Sequence, residues 1–166
     1  LDEESYFNMG QTGTLGGELE ARWVTSFARV TLSYSHYQAA NNEVEDYAVE
    51  GSSELLGAPQ HKVVLFGSLE LIDKLSLNPS LIYATARKAY TEYSYDEDTE
   101  EETYGLGQVD PGLLMHLTLL YEDAGIDGLD LMLAGYDLLG IGESFPQPYF
   151  GGHQVLPGPS RQVMLK

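Results

Sequence analysis

The sequence predicts an all-β chain, about seven strands of a transmembrane, antiparallel, up-and-down β-barrel segment that forms part of a larger barrel. Three observations predict it. Apolar and polar residues alternate with period two over stretches of about ten residues, the length a tilted strand needs to cross a bilayer. The connections between these stretches are short and long by turns. Aromatic residues gather near the ends of the stretches, where the two bilayer interfaces would lie.

The first strand runs from about Ser5 to Val24, with Leu15, Leu19, Ala21 and Trp23 alternating with Glu18, Glu20 and Arg22. The second, Ala28–Tyr37, sets Ala28, Val30, Leu32, Tyr34 and His36 against Arg29, Thr31, Ser33, Ser35 and Tyr37. In the third, Val63, Leu65, Gly67, Leu69 and Leu71 alternate with Lys62, Ser68 and Glu70, although Val64 and Phe66 blur the polar face. Leu75, Leu77, Pro79, Leu81 and Tyr83 form the fourth stripe, and Leu113, Met115, Leu117, Leu119 and Tyr121 the fifth. Leu129, Leu131 and Leu133 begin the sixth, and Val163 and Leu165 close the seventh, near Pro159–Lys166. Helical spacing fits poorly, because Leu at i, i+2 and i+4 would scatter around a helix. Pro79 removes a ladder donor and is expected to mark a bulge.

Short connections fall at Thr25–Phe27, Ile72–Lys74 and about Asp123–Asp127. Long polar ones fall at Ala40–Gln60, Thr91–Asp110 and Gly140–Gly158. Outer-membrane barrels sort their connections this way, with short turns periplasmic and long loops extracellular. That orientation puts Trp23, Phe27 and Tyr121 at the periplasmic interface and Tyr34, Tyr37, Tyr83, Tyr90 and Tyr93 toward the outer one. Bacterial single-chain barrels have an even number of strands, from about eight upward. Seven strands are therefore expected to belong to a larger barrel.

Composition bounds the function. The net charge of −18, from 26 acidic and 8 basic residues, argues against nucleic acid as a partner, since phosphate binding needs clustered Lys and Arg. The absence of cysteine excludes disulfides, thiolate metal sites and Cys nucleophiles. Residues 1–4 are acidic where a signal peptide would carry a basic region, so processing or a fragment is expected. No apolar run approaches the roughly 18 residues of a spanning helix. Ser, His and Asp lack nucleophile-elbow context and no glycine-rich phosphate loop precedes a helix, so no enzyme and no cofactor are expected.

Several local signatures resemble the C-terminal β-barrel portion of TonB-dependent outer-membrane receptors. Tyr6-Phe7-Asn8-Met9-Gly10 followed by Gly16-Gly17-Glu18-Leu19-Glu20 is similar to one barrel strand of that family. Ala58-Pro59-Gln60-His61-Lys62 resembles the approach to a later strand, and Leu131–Leu139 with Leu156-Pro157-Gly158-Pro159-Ser160-Arg161 resembles the closing segment. In Tyr136-Asp137-Leu138-Leu139 an Asp stands where the family's pattern has Asn. The resemblance implies a barrel of about 22 strands, with residues 1–166 as roughly its last third and no plug domain within them. It also implies a plug domain and TonB as partners through the missing N-terminal part. Import of a siderophore, haem or similar small-molecule or metal-chelate ligand would follow, in the bacterial outer membrane and against its lipid. The closing strand departs from the pattern in ending at Lys166 without an aromatic residue.

Candidate functional residues follow from this layout. Ligand contacts are expected from aromatics on the long loops, namely Tyr47, Tyr93, Tyr104, Phe145, Tyr149 and Phe150, with His153 beside them. The same rings could instead pack the loops together. Glu18, Glu20, Arg22, Arg29, Thr31, Lys62, Glu70, Asn78, His116 and Asp130 are expected to line the lumen or dock a plug. The acidic run Tyr95–Glu102 reads as a solvated loop, with Asp96, Glu97 and Asp98 as weak candidates for a divalent cation. His36, His61, His116 and His153 are at no metal-ligand spacing. Two other classes fit the strand pattern: a small autonomous outer-membrane barrel with a structural or adhesion role, and a soluble β-sandwich or lipocalin-like ligand-binding barrel. The soluble class requires the Leu and Val stripes to point into a sealed interior.

Overall fold

The computed structural model describes residues 10–41, 49, 52–141, 144–146 and 154–166. Its elements are β1 (Thr14–Val24), β2 (Ala28–Ala39), β3 (His61–Ile72), β4 (Leu75–Ala84), β5 (Arg87–Asp96), β6 (Glu101–Val109), β7 (Gly112–Tyr121), β8 (Leu131–Tyr136), β9 (Ser144–Phe145), β10 (Leu156–Pro157) and β11 (Gln162–Leu165). Seven of these form one antiparallel sheet in the order β1-β2-β3-β4-β7-β8-β11. This is an open meander, with β1 and β11 at its edges. The seven strands coincide with the seven stripes read from the sequence. β5 and β6 form a separate hairpin between β4 and β7, and β9 and β10 a two-residue ladder. Thr91–Asp110, expected as a polar loop, is thus largely that hairpin, and its turn holds the acidic run.

Register explains how the alternating pattern becomes a two-faced wall. Trp23 pairs with Val30, and Val30 with Gly67. Pro79 pairs with Leu117, Leu117 with Gly135, and Gly135 with Val163. Higher up, Leu19, Tyr34, Val63, Tyr83 and Leu113 form a second apolar row across five strands. Since side chains alternate strictly, a constant register carries every such row to the same face. The other face carries Arg22, Thr31, Phe66, Ser80 and His116 in one row. It is mixed rather than uniformly polar, with Phe66 51% exposed on it.

Nothing covers the apolar face among the described residues. Leu32, on a strand flanked on both sides, keeps 44% of its surface exposed, and Leu133 keeps 48%. The buried apolar residues are small or peripheral, such as Ala28, Ala84 and Ala134. A single-layer sheet with its large aliphatic side chains uncovered has no sealed interior, so the sandwich-like expectation fails. No helix among the described residues is long and apolar enough to cross a membrane.

Three expectations need correction. Pro79 is not at a bulge: the β3–β4 pairing keeps one register from Lys62↔Ala84 to Glu70↔Ser76, and shifts only between Glu70 and Ile72. Gly67 makes this possible, because a Cβ there would lie 2.9 Å from the Pro79 ring. Tyr37 belongs to the mixed face, where its hydroxyl donates to Glu18. Tyr90 and Tyr93 lie on the hairpin rather than in the seven-stranded wall. Of the first strand, Thr14–Val24 is extended, while residues 5–9 fall outside the described part.

The rim of short turns is tied laterally. Lys74 and Asp123 adopt left-handed backbone angles (φ 64° and 47°) in adjacent turns, and Lys74 Nζ lies 3.1 Å from Asp123 Oδ2. The Gly128 N–H donates to Asp123 Oδ1, and the Asp123 N–H to Asp130 Oδ1 at 3.0 Å. Asp130 is therefore a turn-closing acceptor. The Gly128 amide first, and the Lys74 ammonium second, hold the Asp123 carboxyl below its ordinary value. A depressed carboxylate stabilises the folded turn above its unfolded pKa, and that contribution fades as pH falls below about 4.

Two outcomes are expected. Gly67→Val should lower stability by about 1–3 kcal/mol through overpacking against Pro79, read by urea unfolding in detergent, and Pro79→Ala should restore part of the loss. Lys74→Met should move the Asp123 titration upward, read by carboxyl NMR between about pH 2 and 6.

Candidate functional site

The β5–β6 hairpin rises from the rim of long connections. Its base is its best-packed part: Ala89 is fully buried, Val109 nearly so, and Arg87 is 8% exposed. Arg87 Nη2 donates to the Ser144 carbonyl at 3.1 Å, which ties the hairpin base to the last long connection. Between them lies an open cleft of about 380 Å³, lined by Arg87, Thr91, Gln108, Asp110, Ile141, Ser144 and Gln154 among others. Sequence reasoning did not single out Arg87. Its only sequence signal is a cation just past a strand end in a chain with few cations.

Higher on the hairpin, Tyr93 and Tyr104 are register partners whose rings stack at 5.8 Å and 23°. Both hydroxyls donate to the Glu102 carboxylate, Tyr93 at 3.4 Å. Desolvation first, and then the Glu102 hydrogen bond and charge, hold the Tyr104 phenol above its ordinary range. For Tyr93 desolvation again leads, followed by the Glu102 charge. Both phenols therefore stay neutral donors at physiological pH. The pair packs ring on ring within this one hairpin. Phe145 is 49% exposed on β9 and pairs with Leu156. Tyr47, Tyr149, Phe150 and His153 lie outside the described residues.

At the hairpin tip, Asp96 Oδ1 accepts the backbone N–H of Asp98 at 2.9 Å and of Thr99 at 3.3 Å. These bonds close the turn. No group of three or more His, Asp or Glu among the described residues is arranged to hold a metal, so Asp96, Glu97 and Asp98 gain no support as ligands.

The residues expected to line the lumen do share the mixed face. Glu18, Glu20 and Arg22 stand opposite Ser35, Ser33 and Thr31, and Arg29 stands opposite Ser68. Lys62 stands opposite Ser35, Glu70 opposite Ser76, Asn78 opposite Thr118 and His116 opposite Ser80. Arg22 pairs with Glu20 on its own strand at 3.2 Å, with both side chains exposed, an arrangement worth little on its own.

A second polar centre flanks this face. Asp137 follows β8 with φ 47° and is 3% exposed. Its N–H donates to His116 Nδ1 at 3.1 Å, which fixes the His116 proton on Nε2. The His116 and Tyr136 rings lie 5.6 Å apart. Neither carboxylate oxygen of Asp137 has a hydrogen-bond partner among the described residues. A buried carboxylate without partners is costly. Asn, the residue of the family pattern, also favours a left-handed backbone but buries no charge.

No family model matches the sequence, and no curated protein matches it. Solved structures do. The ferric-catecholate import receptor Fiu from Escherichia coli K12 superposes with TM-score 0.70 at 20% identity, over 99% of this chain and 22% of that one. FpvAI in its complex with pyocin S2 gives 0.67 at 15%, over 92% and 18%. The outer-membrane ferripyoverdine receptor of Pseudomonas aeruginosa, bound to ferripyoverdine, gives 0.64 at 14%, over 92% and 19%. The chain thus spans about a fifth of the length of each. These likenesses establish the fold: an open, seven-stranded portion of a β-barrel, as the resemblance read from the sequence implies.

Asp137→Asn is expected to stabilise the chain by about 1–3 kcal/mol, by removing a buried carboxylate that has no hydrogen-bond partner among the described residues. Thermal unfolding in detergent at pH 7 would show a higher midpoint, and an unchanged or lower one would contradict the account.

Proposed function

We propose that this chain is a wall-and-loop segment of a TonB-dependent receptor that imports a siderophore, haem or similar nutrient across the bacterial outer membrane. In this reading the apolar face meets lipid, and the mixed face meets the lumen and a plug domain carried elsewhere in the protein. TonB engages that other part. The segment works in transport and not as an enzyme. One observation carries the reading: apolar rows run unbroken across the strands, between a rim of short turns and a rim of long connections. Only a lipid-facing wall makes such an uncovered face favourable.

The likeness to import receptors supports the ligand class. Within the cleft at the hairpin base, the Arg87 guanidinium suits an anionic ligand group, because its planar fork matches carboxylates and similar oxyanions. The Tyr93–Tyr104 stack above it offers aromatic surface.

Residues 1–166 contain no cysteine, so single replacements report position cleanly once any cysteine elsewhere in the full-length protein is replaced. With the full-length protein in intact cells, Glu97→Cys is expected to react with a membrane-impermeant maleimide, and Asp127→Cys only after the outer membrane is opened. The reverse pattern, or equal labelling of both, would overturn the orientation. Arg87→Ala is expected to lower uptake of a labelled ferric siderophore about tenfold, the effect of losing one charge-assisted contact. Unchanged uptake would remove Arg87 from the ligand path.

A further inference from the structure

The apolar face changes chemistry at one row. Leu19, Tyr34, Val63, Tyr83 and Leu113 form the outermost apolar row that crosses five strands. The next row toward the long connections holds Gly17, His36 and His61 as register partners, with Thr85 hydrogen-bonded to the His61 backbone. In a wall that faces lipid, such a row marks where acyl chains give way to headgroups. The two imidazoles stack with centroids 4.7 Å apart and planes 24° apart, and the Tyr34 ring continues the stack on His61 at 6.0 Å. Each Nδ1, on the ring edge nearer the backbone, is engaged. His36 Nδ1 lies 3.1 Å from the Gln60 carbonyl, which can only accept, so Nδ1 carries the proton and the Nε2 lone pair accepts. His61 Nδ1 lies 2.8 Å from the Tyr34 hydroxyl. A phenol is the better donor and an imidazole nitrogen the better acceptor, so Tyr34 donates and the His61 proton sits on Nε2.

The outer edge of the stacked pair therefore presents an acceptor, His36 Nε2, beside a donor, His61 Nε2–H, neither with a partner among the described residues. Near-parallel planes keep the two groups side by side rather than aimed at one point. They suit two neighbouring ligand atoms, one donating and one accepting. A hydroxyl does both, and the adjacent hydroxyls of a sugar ring offer both together. A phosphodiester only accepts and would face the His36 lone pair, while an ammonium only donates and would face the His61 N–H. The described neighbours on this face, Gly17, Leu19, Val63 and Tyr83, bring no Lys or Arg for an anion and no carboxylate for a cation. Room is available too, since a Cβ at Gly17 would meet nothing within 4 Å.

We propose that His36 and His61 form a site for the uncharged saccharide headgroup of a membrane glycolipid, oriented by the Gln60 carbonyl and Tyr34. The site rests on the lipid-facing reading of the apolar wall.

The test places the full-length protein in phosphatidylcholine nanodiscs with equal amounts of diglucosyl diacylglycerol, an uncharged glycolipid, and phosphatidylmethanol, a phosphodiester without hydroxyls. Retained lipid is counted by native mass spectrometry. The expected result is a glycolipid retained about tenfold over phosphatidylmethanol, the effect of one to two hydrogen bonds. His36→Phe and His61→Phe keep a ring in the stack but lose its edge group, and each should lower that retention about fivefold. Acidification from about pH 8 to about pH 5 should also weaken it, because a proton on the His36 lone pair turns the acceptor into a second donor. The other titratable groups facing the pair from the described strands are the Tyr34 and Tyr83 phenols. Equal retention of the two lipids, a preference for phosphatidylmethanol, tighter retention in acid, or no loss in either Phe variant would overturn the proposal. The lipid-facing reading is checked separately. A nitroxide on Leu32→Cys, with other cysteines replaced, should relax faster with oxygen than with a water-soluble nickel chelate. The reverse order would strike that reading and this site together, whereas lipid contact at Leu32 without a glycolipid preference strikes the site alone.

Discussion

Lateral hydrogen bonding in one unbroken antiparallel register is the constraint on which the rest of this structure depends. A strand wall in lipid has no water to satisfy a stray N–H or C=O, and each unsatisfied group costs several kcal/mol. The strands therefore keep one register through difficult positions, even where Pro79 offers no N–H to the ladder. At Pro79 the pairing register is held, and Gly67 opposite accepts the ring that any side chain would strike. The one irregularity in the wall, between Glu70 and Ile72, falls at the short-turn rim, where water can replace a missing bond.

Because register is constant, face identity is inherited from strand to strand. Residues 30, 67 and 135 stand in one row although they are far apart in the chain. Such a wall is one side chain thick on each face, so it has no core in the sense of a soluble domain. Among the described residues the buried ones are few and mostly small, and its large aliphatic side chains remain uncovered. The mixed face carries charged, hydroxyl and apolar groups together, which suits contact with water and with protein surface rather than with lipid.

Above the wall the physics changes. The β5–β6 hairpin has its own ladder and its own buried base, and there Arg87 bonds to a carbonyl of another connection. The acidic run at its tip is shaped by Asp96 accepting two backbone amides. Asp137 is the exception to good polar accounting, a buried carboxylate in a left-handed turn beside His116.

The sequence by itself determined the strand count in the wall, the faces and the sorting of connections, because period-two alternation and turn length are local properties. It also identified the residues of the mixed face, apart from Asp130, which a turn claims. Four of the seven proposed ligand residues lie outside the described part, and the Tyr93–Tyr104 pair was named as residues but not as a stack. Only tertiary structure decided what register decides. It set Pro79 against a glycine, Tyr37 over Glu18, Arg87 under the last connection, and His36 against His61. These are pairings between residues up to 57 positions apart, and no local period encodes which residue of one strand meets which residue of another.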